Sequence, residues 1–410
     1  MIKDTTQRLM PINEIRDQFP GLAAGHAHLD GAAGTHVPEA VIAAVEQGMR
    51  RAMANVGGAF EGSRTSTEVV AEARSALADL VGGLPDGVVL GPNMTTLTFH
   101  LADALSRTWA PGDEVVVTSL DHDANIRPWR LAAERVGVGV RVADFDLDTG
   151  ELPTSAIEQV LTDRTRLVAV TAASNAIGTR PDVPAIAALT HACGALTYVD
   201  GVHATPHGPI DVRALGADFY ACSSYKFYGP HTGAVIADPD VLASLHPAKL
   251  APAPAASPAR FERGTAAFEL LAGVRAAIDW LAGLTDTSGS RRRQLLATFV
   301  AVEEALQNLL IRLLDGLSRI EGVRLLGAAE HRTSTVSFVL DGYQPDELAA
   351  HLAQRGIDVW AGDNYAYELM RRFGLAETGG AVRASIVLYN TPEDVDRLVQ
   401  AVDELAAARR

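Results

Sequence analysis

Between residues 88 and 238 the chain alternates short apolar runs with amphipathic stretches. No other feature restricts its fold as much. The runs VVLG (88–91), EVVVTS (114–119), VRVADF (140–145), RLVAVTAAS (166–174), ALTYVD (195–200) and DFYACSS (218–224) are apolar at consecutive positions. Side chains alternate across a strand, so consecutive apolar positions place apolar groups on both faces. Helical patterns fall between the runs, over about 94–109, 128–136, 153–161 and 183–193. Strands of this kind are buried by a mainly parallel sheet covered by helices on both sides. TGAVIAD (232–238) closes the series as a hairpin partner, which predicts seven strands. Ligands of such α/β sheets bind beyond the carboxyl ends of the strands.

The flanking segments differ in pattern. Ahead of the sheet stand a short helix at 12–19 ending before Pro20, a strand at His28–Asp30 and a helix from Pro38. A glycine-rich loop at 55–63 and a helix at 65–81 follow. Behind it come a Pro/Ala-rich segment at 247–260, two long helices and a shorter alternation of strands and helices. A chain of 410 residues accommodates two domains. The reading is a large domain over 25–280 and a smaller α+β domain built from 1–24 and 281–410.

Charge and cysteine content narrow the function classes. The net charge of −15 argues against a nucleic-acid or anionic-membrane surface. The two cysteines, Cys193 and Cys222, read as buried, which fits a reducing compartment without a disulfide framework. No secretory h-region is evident, and no apolar run of ~18–20 residues stands out as a membrane span. A cytoplasmic protein is expected. No metal site is expected from its twelve histidines.

The polar residues at the ends of successive strands carry the chemistry. Lysine is scarce: Lys3, Lys226 and Lys249 are the only three among 35 basic residues. Arginine replaces a surface lysine in most roles but cannot form an imine, so Lys226, in the Ser/Tyr/Gly-rich turn after one strand, reads as a Schiff-base lysine. Asp200 ends the neighbouring strand, where a carboxylate can hold a pyridine nitrogen protonated. An ordinary strand-end aspartate is the plain alternative. GPNMTT (91–96) opens a helix whose amides, with Thr95 and Thr96, suit a phosphate, or only cap the helix. His122 can lie over a flat ring or be structural. Asn175, His203, Ser223 and Tyr225 complete the edge. One pocket gathering these groups asks for a phosphate, a flat ring, a basic ring nitrogen and an aldehyde, which together describe pyridoxal 5′-phosphate.

The motifs LDGAAGTHVP, DHDANIRPW, SNAIGT, VDGVHATPHGPIDV, SSYKFYGP, ERGT and VRASIVLYNTPEDVDRLV together resemble the class V aminotransferase family of fold-type I pyridoxal-phosphate enzymes. The resemblance is nearest the cysteine desulfurase-like branch and runs nearly end to end. It implies that Lys226 anchors the cofactor, Asp200 pairs with its ring nitrogen and His122 stacks on its ring. It places Asn175 and His203 near the ring hydroxyl, and Thr95, Thr96 and Ser223 at the phosphate. Tyr225 stands where many relatives have histidine. Arg383 would clamp the substrate α-carboxylate. Thr265 in ERGT would reach the phosphate of a partner subunit, which implies a homodimer.

The chain departs from that branch at its nucleophile. Where cysteine desulfurases carry a cysteine on the loop before VRAS, the segment WAGDNYAYELM has Tyr365, and residues 223–410 contain no cysteine. The expected activity is Cα deprotonation of a small amino-acid substrate followed by β-elimination of the C–S lyase type, with catalytic roles for Lys226, Asp200, His122 and Tyr365. Tyr365 or Tyr367 would protonate the leaving group, or form only an aromatic lid. The alternatives are transamination, racemisation or epimerisation, and a non-catalytic scaffold.

Overall fold

The computed structural model describes residues 8–22 and 25–408, so the expected N-terminal arm at 1–24 is described only over 8–22. The central sheet has seven strands: β1 (Val88–Gly91), β2 (Glu114–Thr118), β3 (Gly139–Ala143), β4 (Thr165–Thr171), β5 (Leu196–Asp200), β6 (Phe219–Ser223) and β7 (Gly233–Ala237). Their order is β1-β7-β6-β5-β4-β2-β3. Neighbouring strands from β6 through β3 pair in parallel, whereas β7 is antiparallel to both β6 and β1. Six strands therefore point their carboxyl ends to one edge.

Both faces of the sheet are dry, as the double-sided apolar pattern requires. On β2, Val116 packs into one core while Val115 and Val117 face the other. On β5, Val199 and Tyr198 divide in the same way. Helices cap where the sequence offers acceptors. Asn93 Oδ1 takes the Thr96 amide at 2.8 Å and opens Met94–Ser106. Gly82, left-handed at φ 74°, ends Glu61–Val81. That helix begins four residues earlier than the expected 65, so the glycine-rich loop is shorter than expected. Glu61 through Arg64 are polar and lie on the first turn, which hid the start.

A second, antiparallel sheet has the order β10-β11-β9-β8, from β8 (Val323–Leu326), β9 (Thr335–Leu340), β10 (Trp360–Gly362) and β11 (Ala381–Ser385). The early strand Ala27–His28 pairs in parallel with Ile357–Asp358, and Asp30 bridges to Ser385. These contacts bring the N-terminal segment beside β11. The helix Arg291–Ser318 is long and apolar enough to cross a bilayer by length and composition, which corrects the expectation that no such stretch exists. In the fold it is a core helix. Leu295, Phe299, Val302, Leu306, Leu310, Leu313 and Leu317 form a buried stripe at three- and four-residue steps, and Arg312 on the open side pairs with Asp396 at 2.5 Å. Cys222 is buried as expected. Cys193 is half-buried at the end of Val183–Ala192, a correction to the expected core position.

The phosphate-side turn depends on one glycine. A Cβ at Gly233 would collide with the backbone of Asn93 and Met94, so only glycine lets β7 and the start of Met94–Ser106 approach this closely. Gly233→Ala is expected to cost ~1–3 kcal/mol through overpacking. The urea midpoint of the variant measures it, and an unchanged midpoint would show that the turn yields freely.

Candidate active site

A cavity of about 900 Å³ opens beyond the carboxyl ends of β1, β2, β4, β5 and β6, and residues of β10, β11 and the loop after β10 close its other side. Ten of the thirteen residues given site roles from the sequence line it; Tyr367, which opens the helix Tyr367–Arg372, does not. Ser223 lies just behind, its Oγ accepting the Met94 amide at 3.1 Å. Thr265 is exposed on the loop at 262–267 and does not reach this cavity.

Lys226 ends the short turn Ser224–Lys226 after β6. Its Nζ donates to the carbonyl of Ala32 and lies 4.9 Å from the centre of the Tyr225 ring. Burial pushes its pKa down to about 7; the charge of Arg383 pushes the same way, and Asp200 and Asp30 push back. Asp200, buried at the end of β5, is raised to about 6 by desolvation, against the Val202 amide on Oδ1 at 3.0 Å and the charge of Lys226. The amine and the carboxylate thus belong to one electrostatic unit.

His122 accepts the Ala124 amide on Nδ1 at 3.0 Å. That leaves Nε2 as the protonated nitrogen of the neutral ring. Burial lowers its pKa to about 3, with Lys226 and Arg383 acting the same way, so the imidazole is neutral. It stacks against Tyr365, with ring centres 5.4 Å apart and planes 18° from parallel. His203 sits between the hydroxyls of Thr333 and Thr335 at 3.1 and 3.0 Å. Desolvation, reinforced by His207, Arg383 and other cations, holds it neutral. His203 and His207 stand four apart, as in an HxxxH metal pair, and their rings lie 4.6 Å apart. However, no group of three metal-ligating side chains occurs among the described residues.

Arg383 on β11 is buried. It donates to the Asn175 carbonyl at 3.0 Å, and desolvation brings its pKa down to about 10 against the pull of Asp30. The Asn175 side chain donates to the carbonyl of Asn364 at 2.8 Å, while its Oδ1 is buried without a partner. Asn364 and Tyr365 both adopt left-handed backbone, at φ 53° and 56°. Such conformations in non-glycine residues persist only where surroundings hold them. Here the Asp123 amide binds the Tyr365 carbonyl at 2.7 Å and the Tyr365 amide binds Asp363 at 2.9 Å. Tyr225 stacks on His231 with ring centres 4.9 Å apart.

Three contributors escape a reading of the sequence. Asp30 exerts its charge on both Lys226 and Arg383. Asp121 is fully buried beside His122, bonded to Thr118 and to Asn125 at 2.6 Å, and desolvation raises it to about 8. Trp360 lies directly opposite Arg383 across the β10–β11 pair. The four-residue spacing of Asp121, Asn125 and Trp129, which bond in series, is a signal that could have found Asp121.

The model of the family described as Aminotransferase class-V matches residues 27–398. The chain belongs to the class V aminotransferase family. A probable cysteine desulfurase of Pseudomonas aeruginosa is 35% identical over 411 residues, covering 95% of this chain and 96% of that one. An uncharacterised protein of Mycobacterium tuberculosis is 37% identical over 396 residues, covering 96% and 99%. The crystal structure of the cysteine desulfurase CsdA from Escherichia coli superposes with a TM-score of 0.85 at 28% identity, covering 98% and 100%. This class V protein is therefore a pyridoxal-phosphate-dependent enzyme of cysteine desulfurase-like type. The cavity suits that cofactor. Its donor set combines a hydroxyl-bearing helix start, a carboxyl, a buried amine and the orphaned Oδ1 of Asn175.

Proposed function

We propose that this class V enzyme catalyses β-elimination from a sulfur-substituted cysteine, giving a thiol, pyruvate and ammonium with one water consumed. The observation that carries the reading is one cavity holding a lysine of lowered pKa and a buried arginine, while neither cysteine of the chain lines it. Cys222 is further disqualified as a sulfur acceptor because burial pushes its thiol up to about 12.

Bound pyridoxal phosphate supplies an aldehyde for the amine and a ring that withdraws electrons. Thr95, Thr96 and the start of Met94–Ser106 would hold its phosphate, with Ser223 behind them, and Asp200 its ring nitrogen. Asn175 and His203 would stand near the ring hydroxyl, Tyr225 near the phosphate, and His122 over the ring. The substrate carboxylate is bound by Arg383, whose planar fork fixes Cα against Lys226. The neutral Lys226 amine takes the proton from Cα as general base. The electron pair of the broken C–H bond moves toward Cβ, the Cβ–S bond breaks, and the thiolate leaves. The Tyr365 phenol, at the mouth of the cavity, donates the proton that the departing sulfur takes up. The enzyme works as a homodimer, in which exposed Thr265 serves the second copy.

Incubating the holoenzyme with S-substituted cysteines and assaying thiol and pyruvate tests the reaction. Equimolar release is expected. Keto-acid exchange or Cα deuteration without thiol would replace it by transamination or epimerisation. Arg383→Lys is expected to raise KM about tenfold or more, since it keeps the charge but loses the planar two-point fork. A KM within a few-fold of wild type would assign the carboxylate elsewhere.

A further inference from the structure

We propose that the cavity accepts an amino acid whose side chain ends in a neutral aromatic ring, received by Trp360 and Tyr365. The inference rests on the reading that Arg383 binds the substrate carboxylate, and it names the class of side chain beyond that point.

Register places the first wall. Trp360 and Arg383 are direct partners across the antiparallel β10–β11 pair. Side chains of such partners lie on the same face of the sheet, with Cβ atoms about 5 Å apart. Both line the cavity. An amino acid held at Arg383 therefore lies alongside an indole. Trp360 is 52% exposed, an apolar surface of the kind that marks a binding site when it rims a cavity.

The second wall is held in place. Tyr365 is 73% exposed, yet its ring stacks on His122 within the cavity. Its left-handed backbone is tied to the site at two carbonyls, Tyr365 to the Asp123 amide and Asn364 to the Asn175 side chain. Two aromatic faces are thus displayed from one short segment, 360–365, without a mobile side-chain stem.

Of the carboxylates near this rim, Asp123 pairs with Arg127 at 3.2 Å, while exposed Asp363 accepts the Tyr365 amide at 2.9 Å and keeps its charge in water. The aromatic faces of Trp360 and Tyr365 favour another ring. A volume of about 900 Å³ lies toward the upper end of ligand pockets, enough for the cofactor and a ring-bearing substrate together.

The test separates this inference from the proposed reaction. L-homophenylalanine and L-alanine have no β-leaving group, so their binding to the holoenzyme, followed by the cofactor absorbance, needs no elimination. Homophenylalanine is expected to bind ~10-fold more tightly than alanine. Trp360→Ala should shrink that ratio toward one and leave alanine binding within about twofold, whereas Trp360→Phe and Tyr365→Phe, which keep a ring at each wall, should retain the ratio. Thermal melting controls for folding. Equal affinities in the wild type, or an equal loss for both ligands in Trp360→Ala, would overturn the inference. Parallel assays use S-phenyl-L-cysteine and S-methyl-L-cysteine. If homophenylalanine is preferred but neither thioether releases thiol, the reaction fails and the aromatic site stands. If both thioethers react alike and homophenylalanine shows no advantage, the aromatic site fails and the reaction stands.

Discussion

Lys226→Ala is expected to lower turnover ~10³-fold or more and to abolish the visible absorbance that depends on covalent attachment of the cofactor. Loss of a positioned general base alone accounts for ~10²–10⁴. Lys226→Arg should fare no better, because a guanidinium neither forms an imine nor gives up its proton. Among the described residues no other lysine offers a substitute: Lys249 is exposed on a loop. Stopped-flow absorbance and steady-state rates measure both effects. An amine-sensitive band persisting in Lys226→Ala would assign the anchor to another group.

The same residue makes a pH prediction. The lowered pKa means that Lys226 is a neutral nucleophile above about 7. An ordinary lysine becomes one only near ~10.4. Capture of pyridoxal phosphate by the apoprotein should therefore speed up about tenfold per pH unit below about 7 and level off above it. A rate still climbing at pH 9 would show that the cavity does not desolvate the amine.

The architecture was legible because its strands are apolar on both faces, a pattern with few solutions. β1 through β7 therefore fall within two residues of their expected runs, except that β4 ends three residues early. Lys226, Asp200, His122 and Asn175 were legible for a related reason: they end strands that share an edge. Other features depend on information that no short window contains. Trp360 acquires meaning only from its register with Arg383, across 22 residues of intervening chain. Asp121 reads as a polar turn residue until burial removes its solvent. Cys193 sits in an apolar run, but the run ends a helix that leaves its last turn half open. Thr265 lies outside the cavity of its own chain, so packing within one copy assigns it no partner there.

Asp200→Asn is expected to cut kcat ~10³-fold while the cofactor remains bound through Lys226 and the phosphate cradle. The variant keeps the shape of the side chain and removes its charge. Two buried carboxyls lie in this part of the site, and their environments push them apart. Asp121, fully desolvated and bonded to Thr118 and Asn125, is raised to about 8, whereas Asp200 is raised only to about 6 because Lys226 and the Val202 amide favour its anion. Near pH 7, Asp121 keeps its proton and Asp200 carries the charge, so Asp200 is the one that can hold a pyridine nitrogen protonated. Asp121→Asn should therefore leave kcat within about tenfold of wild type, because it fixes the neutral state already present. The raised pKa also sets the sign with pH: as pH falls through about 6, Asp200 takes up a proton and the wild-type rate should fall with it. Steady-state profiles of the wild type and both variants between pH 5 and 8, with bound cofactor counted by absorbance, decide the matter. A wild-type rate in Asp200→Asn would remove the carboxylate from the chemistry, and a larger loss in Asp121→Asn than in Asp200→Asn would exchange the two roles.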